Sequence, residues 1–307
     1  AELAMALDEG VGRIVVDSFD ELDRLDAIAT ATGSRPRVLL RITPGVEAHT
    51  HEFIATGQDD SKFGFTASSG LATAAVERAI ASDSVELVGL HAHIGSQVFE
   101  VGAFARAIEV LIDFAAPFGL AELSVGGGLG VPYVEGESAP SITEWASGIR
   151  AVCEAAGVTA SVSAEPGRAI VAAAAITLYT VGTIKDLPGI RTYVAVDGGM
   201  SDNPRPVLYG SGYETFLPRA TAAERSRPVR VVGKHCESGD LLVREGWVPD
   251  DLVVGDVLAT PVTGAYGHAM GSNYNHVLRP AVVFVADGDA RTVVRRETFE
   301  DLVRREV

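Results

Sequence analysis

The stretch "VELVGLHAHIGS", residues 85–96, decides the fold. Its first half is apolar on both faces, as in a strand covered from two sides, and its second half turns to histidine, glycine and serine. The same form recurs in "RIVVDS" ending near Asp17, "RVLLRITP" carrying Arg41, "AELSVGGGLG" with glycines 126–128, and "TASVSAEPGR" ending in Glu165 to Arg168. Helical segments lie between these runs. "SFDELDRLDAIATATG" pairs Ser18 with Glu21 as a capping box and stops at Gly33. Residues 66–82, 99–118 and 141–157 are rich in Ala and Leu at helical spacing. Strands alternating with helices predict a parallel sheet, and chemistry at successive strand C-termini predicts the mouth of a TIM-type (β/α)8 barrel. A doubly wound sheet is the alternative, but it would gather its ligand groups at one switch point.

After Arg168 the texture changes. Strand-like runs such as "TYVAVDGG", "RPVRVVGKH", "DLLVREGWV" and "PAVVFVADG" follow one another with turns between them, and a short helix closes the chain in "ETFEDLVRREV". The apolar run "AIVAAAAITLYTV" from Ala169 reads as a buried strand. The chain is thus α/β followed by β: a barrel portion over 1–170 and a β-rich domain over 171–307.

Composition narrows the function. With 307 residues, 47% of them hydrophobic, there is material for a sizeable core and two domains. A net charge of −16 argues against nucleic acid and anionic membrane as partners. No apolar run is long enough to predict a membrane span. Two cysteines, Cys153 and Cys236, make no disulfide framework, which points to a reducing cytoplasm. Cys153 reads as a helix core residue. The opening "AELAMALDEG" reads as the middle of an amphipathic helix ending at Gly10, so the sequence is expected to begin inside a longer chain.

Several motifs carry candidate chemistry. His91 and His93 share one face of a strand, because side chains alternate with period two. They could share a metal, one could stack on a flat cofactor, or both could be structural; the following Gly95-Ser96-Gln97 turn suits a phosphate better than a metal. "VGGGLG" (125–130) lets the backbone approach a ligand, though a ligand-free tight turn has the same composition. In "AEPGR" (164–168), Glu165 and Arg168 could be a plain ion pair or could hold a pyridinium N–H and an anion. "VDGGMSDNPRPVLYG" (196–210) sets Arg205, a fork for carboxylates, four residues before Tyr209. "GKHCESGD" places Cys236 directly before Glu237, and "GAY" ends in Tyr266.

In this order, "HAHIGSQ", "GGGLG", "EPGR", "DGGMSDNPRPVLYG", "HCESGD" and "GAY" resemble the fold type III pyridoxal-phosphate decarboxylases, over essentially the whole chain. "CESG" and "NPRP" are similar to the diaminopimelate branch. The resemblance implies an alanine-racemase-like barrel with a β-domain, pyridoxal 5'-phosphate as cofactor, and conversion of meso-2,6-diaminopimelate to L-lysine and CO2. It implies that His93 stacks on the pyridine ring and that Ser96, Gly128, Pro166, Gly167 and Arg168 line the phosphate and substrate region. Glu165 would keep the ring nitrogen protonated. Arg205, Tyr209 and Glu237 would grip the distal end of the substrate, and Tyr266 would reach both cofactor and substrate. Cys236 would be the acid that protonates carbon after CO2 leaves, delivered from the partner subunit of a homodimer with shared sites; an ordinary thiol is protonated at neutral pH.

The family's cofactor-linking lysine lies in a "KA"-like motif on its first barrel strand. Lys62, Lys185 and Lys234 are the lysines of this sequence, and none has that context. The expectation is therefore that about five of the eight barrel strands are present and that the first third of a family member lies outside this sequence. The alternatives are a sibling decarboxylase of ornithine or arginine, a truncated chain without activity, and a metal-dependent hydrolase built on His91 and His93.

Overall fold

A computed structural model describes residues 1–46 and 56–307. Two compact units result: residues 1–131 with 138–169, and residues 132–137 with 170–307. Among the described residues no helix is long and apolar enough to cross a membrane.

The first unit runs α1 (Glu2–Asp8), β1 (Ile14–Val16), α2 (Phe19–Thr32), β2 (Arg37–Thr43), β3 (Phe65–Thr66), α3 (Leu71–Ile80), β4 (Glu86–His91), α4 (Val101–Ala115), β5 (Glu122–Ser124), α5 (Ile142–Ala155) and β6 (Ser161–Ser163), and its last residues begin α6 (Gly167–Val171). Its strands lie in the order β1-β2-β4-β5-β6, all parallel, with β3 paired to β2. Apart from β3, each strand lies beside the next in sequence and no switch point occurs among the described residues, as in a barrel wall and unlike a doubly wound sheet.

Helix ends follow local chemistry. Ser141 accepts the N–H of Glu144 while the Glu144 carboxylate accepts the N–H of Ser141, a complete capping box on α5. On α2, Ser18 caps Glu21 N–H as expected, but Glu21 returns its carboxylate to the N–H of Asp17 at 2.7 Å instead of to Ser18. Gly33, in the left-handed region, ends that helix. The core joins sheet residues Val16, Leu40, Leu90 and Leu123 to Leu22, Leu25, Val76 and Leu111 of the helices. A second cluster packs Phe104 of α4 edge-on to Trp145 of α5, with Ile149 and Cys153 beside them.

Register sets the mouth. Arg41, His91, Ser124 and Ser163 are successive Cα partners across β2, β4, β5 and β6, so they form one row on one face of the sheet. Asp17 follows β1 and meets Arg41 at 3.7 Å, while Phe63 lies under the Arg41 guanidinium at 4.4 Å.

The second unit contains β7 (Thr177–Leu187), β8 (Arg191–Val196), α7 (Arg205–Tyr209), β9 (Arg227–Val232), β10 (Leu241–Val248), β11 (Val257–Thr260), α8 (Gly267–Met270), β12 (Val282–Ala286), β13 (Asp289–Val294) and α9 (Phe299–Val303). Five strands form a sheet in the order β10-β9-β8-β7-β11, and β12 pairs with β13 as a hairpin. One expectation is corrected here. The run from Ala169 is not a single buried strand: α6 and a 3-10 turn occupy it through Ala174, and β7 begins only at Thr177, with alternating exposure. The alanines at 172–175 favour helical backbone over extended backbone. Sequence reasoning also passed over β3, whose two residues are too short for any periodic signal.

Candidate active site

The ends of β4, β5 and β6 bring one group of predicted residues together. His91 and His93, two residues apart, lie with their rings parallel and their centroids 6.5 Å apart. His93 Nδ1 accepts the N–H of Gly127 at 3.1 Å, and burial, with the Arg41 charge adding to it, lowers the imidazole pKa to about 4. At neutral pH it is therefore an uncharged flat ring.

Glu165 follows β6. Its Oε1 lies 3.3 Å from His91 Nε2 and accepts the Ser124 hydroxyl at 3.0 Å. The hydrogen bond from His91 is the chief reason that its pKa falls to about 2 against the opposing effect of burial. The side chain nonetheless remains 56% exposed, so an ionised carboxylate faces outward with its orientation fixed through one oxygen.

Loops stitched to one another carry these groups. Glu165 N–H donates to the Gly126 carbonyl at 2.7 Å, and Val98 N–H donates to the Gly128 carbonyl at 2.9 Å. Gln97 clasps both the N–H and the carbonyl of Val131. A Cβ on Gly127 would stand 2.0 Å from the Glu165 carbonyl oxygen. Gly128 has φ +103° and the Gly95 carbonyl against its α-carbon, a placement only glycine tolerates. Pro166 continues this loop, and Gly167 opens α6 with its N–H on the Glu165 carbonyl at 2.8 Å. Arg168 is buried and donates to Ser96 Oγ at 2.8 Å.

The remaining predicted residues belong to the second unit. Arg205 is only 3% exposed; its Nε donates to Tyr213 Oη at 3.0 Å and its Nη2 to Ser211 Oγ at 3.1 Å. Its guanidinium lies over Tyr133 at 4.8 Å and near Tyr209 at 5.5 Å. Cys236 is an exposed free thiol between β9 and β10. Buried Asp240 braces its loop by accepting N–H groups from His235 at 2.9 Å and from Met200 at 2.7 Å. His235 Nε2 and Ser201 Oγ share a further hydrogen bond of 2.9 Å. Glu237 accepts the Tyr274 hydroxyl, which raises the phenol's pKa. Tyr266, half-exposed, holds φ +63°, a strained value for an aromatic residue.

Sequence reasoning missed Ser124, Tyr133, Ser211, Tyr213 and Tyr274. Only Ser124 had a signal, as the hydroxyl closing a strand just before the glycine run. Among the described residues no group of three or more His, Cys, Asp or Glu is arranged to hold a metal. A neutral imidazole face, a fixed ionised carboxylate, and an arginine paired with a serine beside a glycine loop form a donor set that fits a phosphorylated pyridine.

Comparison with known proteins agrees. The family model described as "Pyridoxal-dependent decarboxylase, pyridoxal binding domain" matches residues 1–172. The diaminopimelate decarboxylase of Mycobacterium tuberculosis H37Rv is 49% identical over 326 residues, covering 100% of this chain and 73% of that protein. That of Bacillus subtilis 168 is 44% identical, covering 99% and 71%. The crystal structure of diaminopimelate decarboxylase from M. jannaschii in co-complex with L-lysine has a TM-score of 0.91 at 32% identity, covering 100% of this chain and 71% of that one. The Helicobacter pylori enzyme complexed with L-lysine gives a TM-score of 0.88 at 33% identity. With a fold, a donor set and whole-chain identity in agreement, this chain belongs to the diaminopimelate decarboxylases of the pyridoxal-dependent decarboxylase family.

Proposed function

We propose that the chain serves pyridoxal-phosphate-dependent decarboxylation of meso-2,6-diaminopimelate, giving L-lysine and CO2. The observation that carries this reading is Glu165, a carboxylate held ionised at a strand end by His91 and Ser124. When bound, pyridoxal phosphate supplies a ring that accepts the electron pair left behind by CO2. Glu165 would hold the proton on the ring nitrogen, and His93 would offer its neutral face to the ring. Ser96, Gly128, Pro166, Gly167 and Arg168 would bind on the phosphate and substrate side, and Tyr266 would serve both cofactor and substrate.

In the second unit, Arg205 and Tyr209 take the distal carboxylate of the substrate and Glu237 its distal ammonium. Burial of the Arg205 guanidinium between aromatic rings supports this role, since a desolvated fork binds a carboxylate more strongly than an exposed one. The Cys236 Sγ–H gives its proton to the carbon that lost CO2. The reading includes a homodimer in which Cys236 of one subunit serves the partner, and a cytoplasmic location. The exposed thiol supports delivery to another chain.

The test is turnover by the cofactor-loaded enzyme. Lysine should form from meso-diaminopimelate, and ornithine and arginine should not react. Arg205→Lys should lower kcat/KM by roughly 10- to 100-fold, the worth of charge-assisted bonds from a guanidinium fork. Equal use of ornithine, or an unchanged kcat/KM in Arg205→Lys and Arg205→Ala, would overturn the substrate assignment.

A further inference from the structure

His91 is the half of the "HAH" pair for which the cofactor reading has no task. The residue is 5% exposed, Nε2 lies 3.3 Å from Glu165 Oε1, and Nδ1 is buried with no hydrogen-bond partner among the described residues. An apolar side chain would fill the same row without leaving a buried nitrogen unsatisfied, so packing alone does not account for an imidazole here. Ser124 is equally buried, at 1% exposure, and its hydroxyl converges on the same oxygen. The two residues are Cα partners on adjacent strands, so the sheet register itself aims them at one point.

We propose that His91 and Ser124 are positioning residues for the decarboxylation: two donors from neighbouring strands clamp Oε1 of Glu165 and leave Oε2 to hold the proton on the ring nitrogen of the cofactor. This rests on the assignment of Glu165 made above. In the tautomer that donates through Nε2, Nδ1 is bare, which matches the nitrogen left unpartnered. The electrostatics run the same way. The hydrogen bond from His91 is the largest influence lowering the pKa of Glu165, Ser124 adds to it, and burial alone would raise it. A carboxylate that is a weak base leaves the shared proton on the ring nitrogen instead of taking it.

The experiment loads the enzyme with pyridoxal phosphate carrying 15N in the ring and reads the nitrogen shift, which separates protonated from unprotonated pyridine. Four variants are compared: His91→Leu, His91→Gln, whose amide nitrogen can stand where Nε2 stood, Ser124→Ala and Glu165→Gln. Wild type and His91→Gln should show the protonated nitrogen, and His91→Leu and Ser124→Ala should move toward the unprotonated shift. In the two latter variants kcat should fall roughly 10- to 100-fold, by analogy with the loss of outer partners around metal ligands, with KM changing much less.

In cofactor-free protein with 13C-labelled glutamate carboxyls, the Glu165 resonance should titrate at higher pH in Ser124→Ala than in wild type. This small change keeps the proposal open to refutation even if His91→Leu does not fold. If His91→Leu and Ser124→Ala keep the wild-type 15N shift while Glu165→Gln loses it, the clamp is wrong and the Glu165 role stands. An unchanged Glu165 titration in Ser124→Ala overturns the clamp as well. If Glu165→Gln itself keeps the protonated nitrogen, the underlying assignment fails instead.

Discussion

His93 shows how burial, helped by neighbouring charge, can keep an imidazole neutral. Its folded pKa of about 4 lies below the ordinary 6.5, so folding favours the neutral ring. That preference contributes fully above pH 6.5 and is lost as pH falls through 4. The charged and titratable groups around it are Arg41 and His91, which hold the pKa down, and Glu165, which opposes them. Urea unfolding measured from pH 7 to pH 4 should therefore show a decline in stability of up to about 3 kcal/mol from this ring, and His93→Phe should remove that part of the slope. An identical slope in both proteins would show that the ring is not desolvated. Glu165 contributes in a lower window, above its ordinary 4.5 and fading as pH falls through about 2. Sequence made His93, Glu165 and Arg168 readable as candidates because each ends an apolar run in a polar motif. Tyr213 and Ser211 gave no such signal: their place beside Arg205 depends on how the loop turns back, which no local pattern encodes.

At the scale of elements, the loop after β5 is limiting, because it threads between two other backbones. Gly127→Ala would drive a methyl group into the Glu165 carbonyl oxygen, backbone that cannot swing aside. We expect a loss of about 2 kcal/mol or more, or a displaced Glu165 loop, whereas Gly12→Ala, with open space around it, should be near neutral. Thermal unfolding of the two variants checks this, and equal melting temperatures would contradict it. Strands and helices of the first unit were legible because apolar runs and caps are local. Departures came where local preferences compete. The alanines of 172–175 drew the chain toward helix before β7, and Glu21 accepts the Asp17 N–H in place of the Ser18 N–H it was expected to bond.

On the scale of the whole molecule, consecutive strand order was readable from the alternation of strand and helix, since short connections make sequence neighbours spatial neighbours. The proposed homodimer with shared sites makes a sharp prediction. Cys236→Ala and Glu165→Gln should each be nearly inactive, yet dissociated and reassembled together they should recover about a quarter of wild-type activity, because half the dimers regain one intact site. No recovery from a confirmed mixed dimer would place both groups on the same chain's site. The carboxylate of Asp240 adds a consequence for descent. It ties the loop bearing Cys236 to the loop that leads into the Arg205 helix through one backbone N–H on each. The proposed proton donor and the proposed substrate clamp thus sit on loops braced by one carboxylate: transplanting residues 196–210 from a relative of different specificity without residues 233–240 would import a loop severed from its anchor.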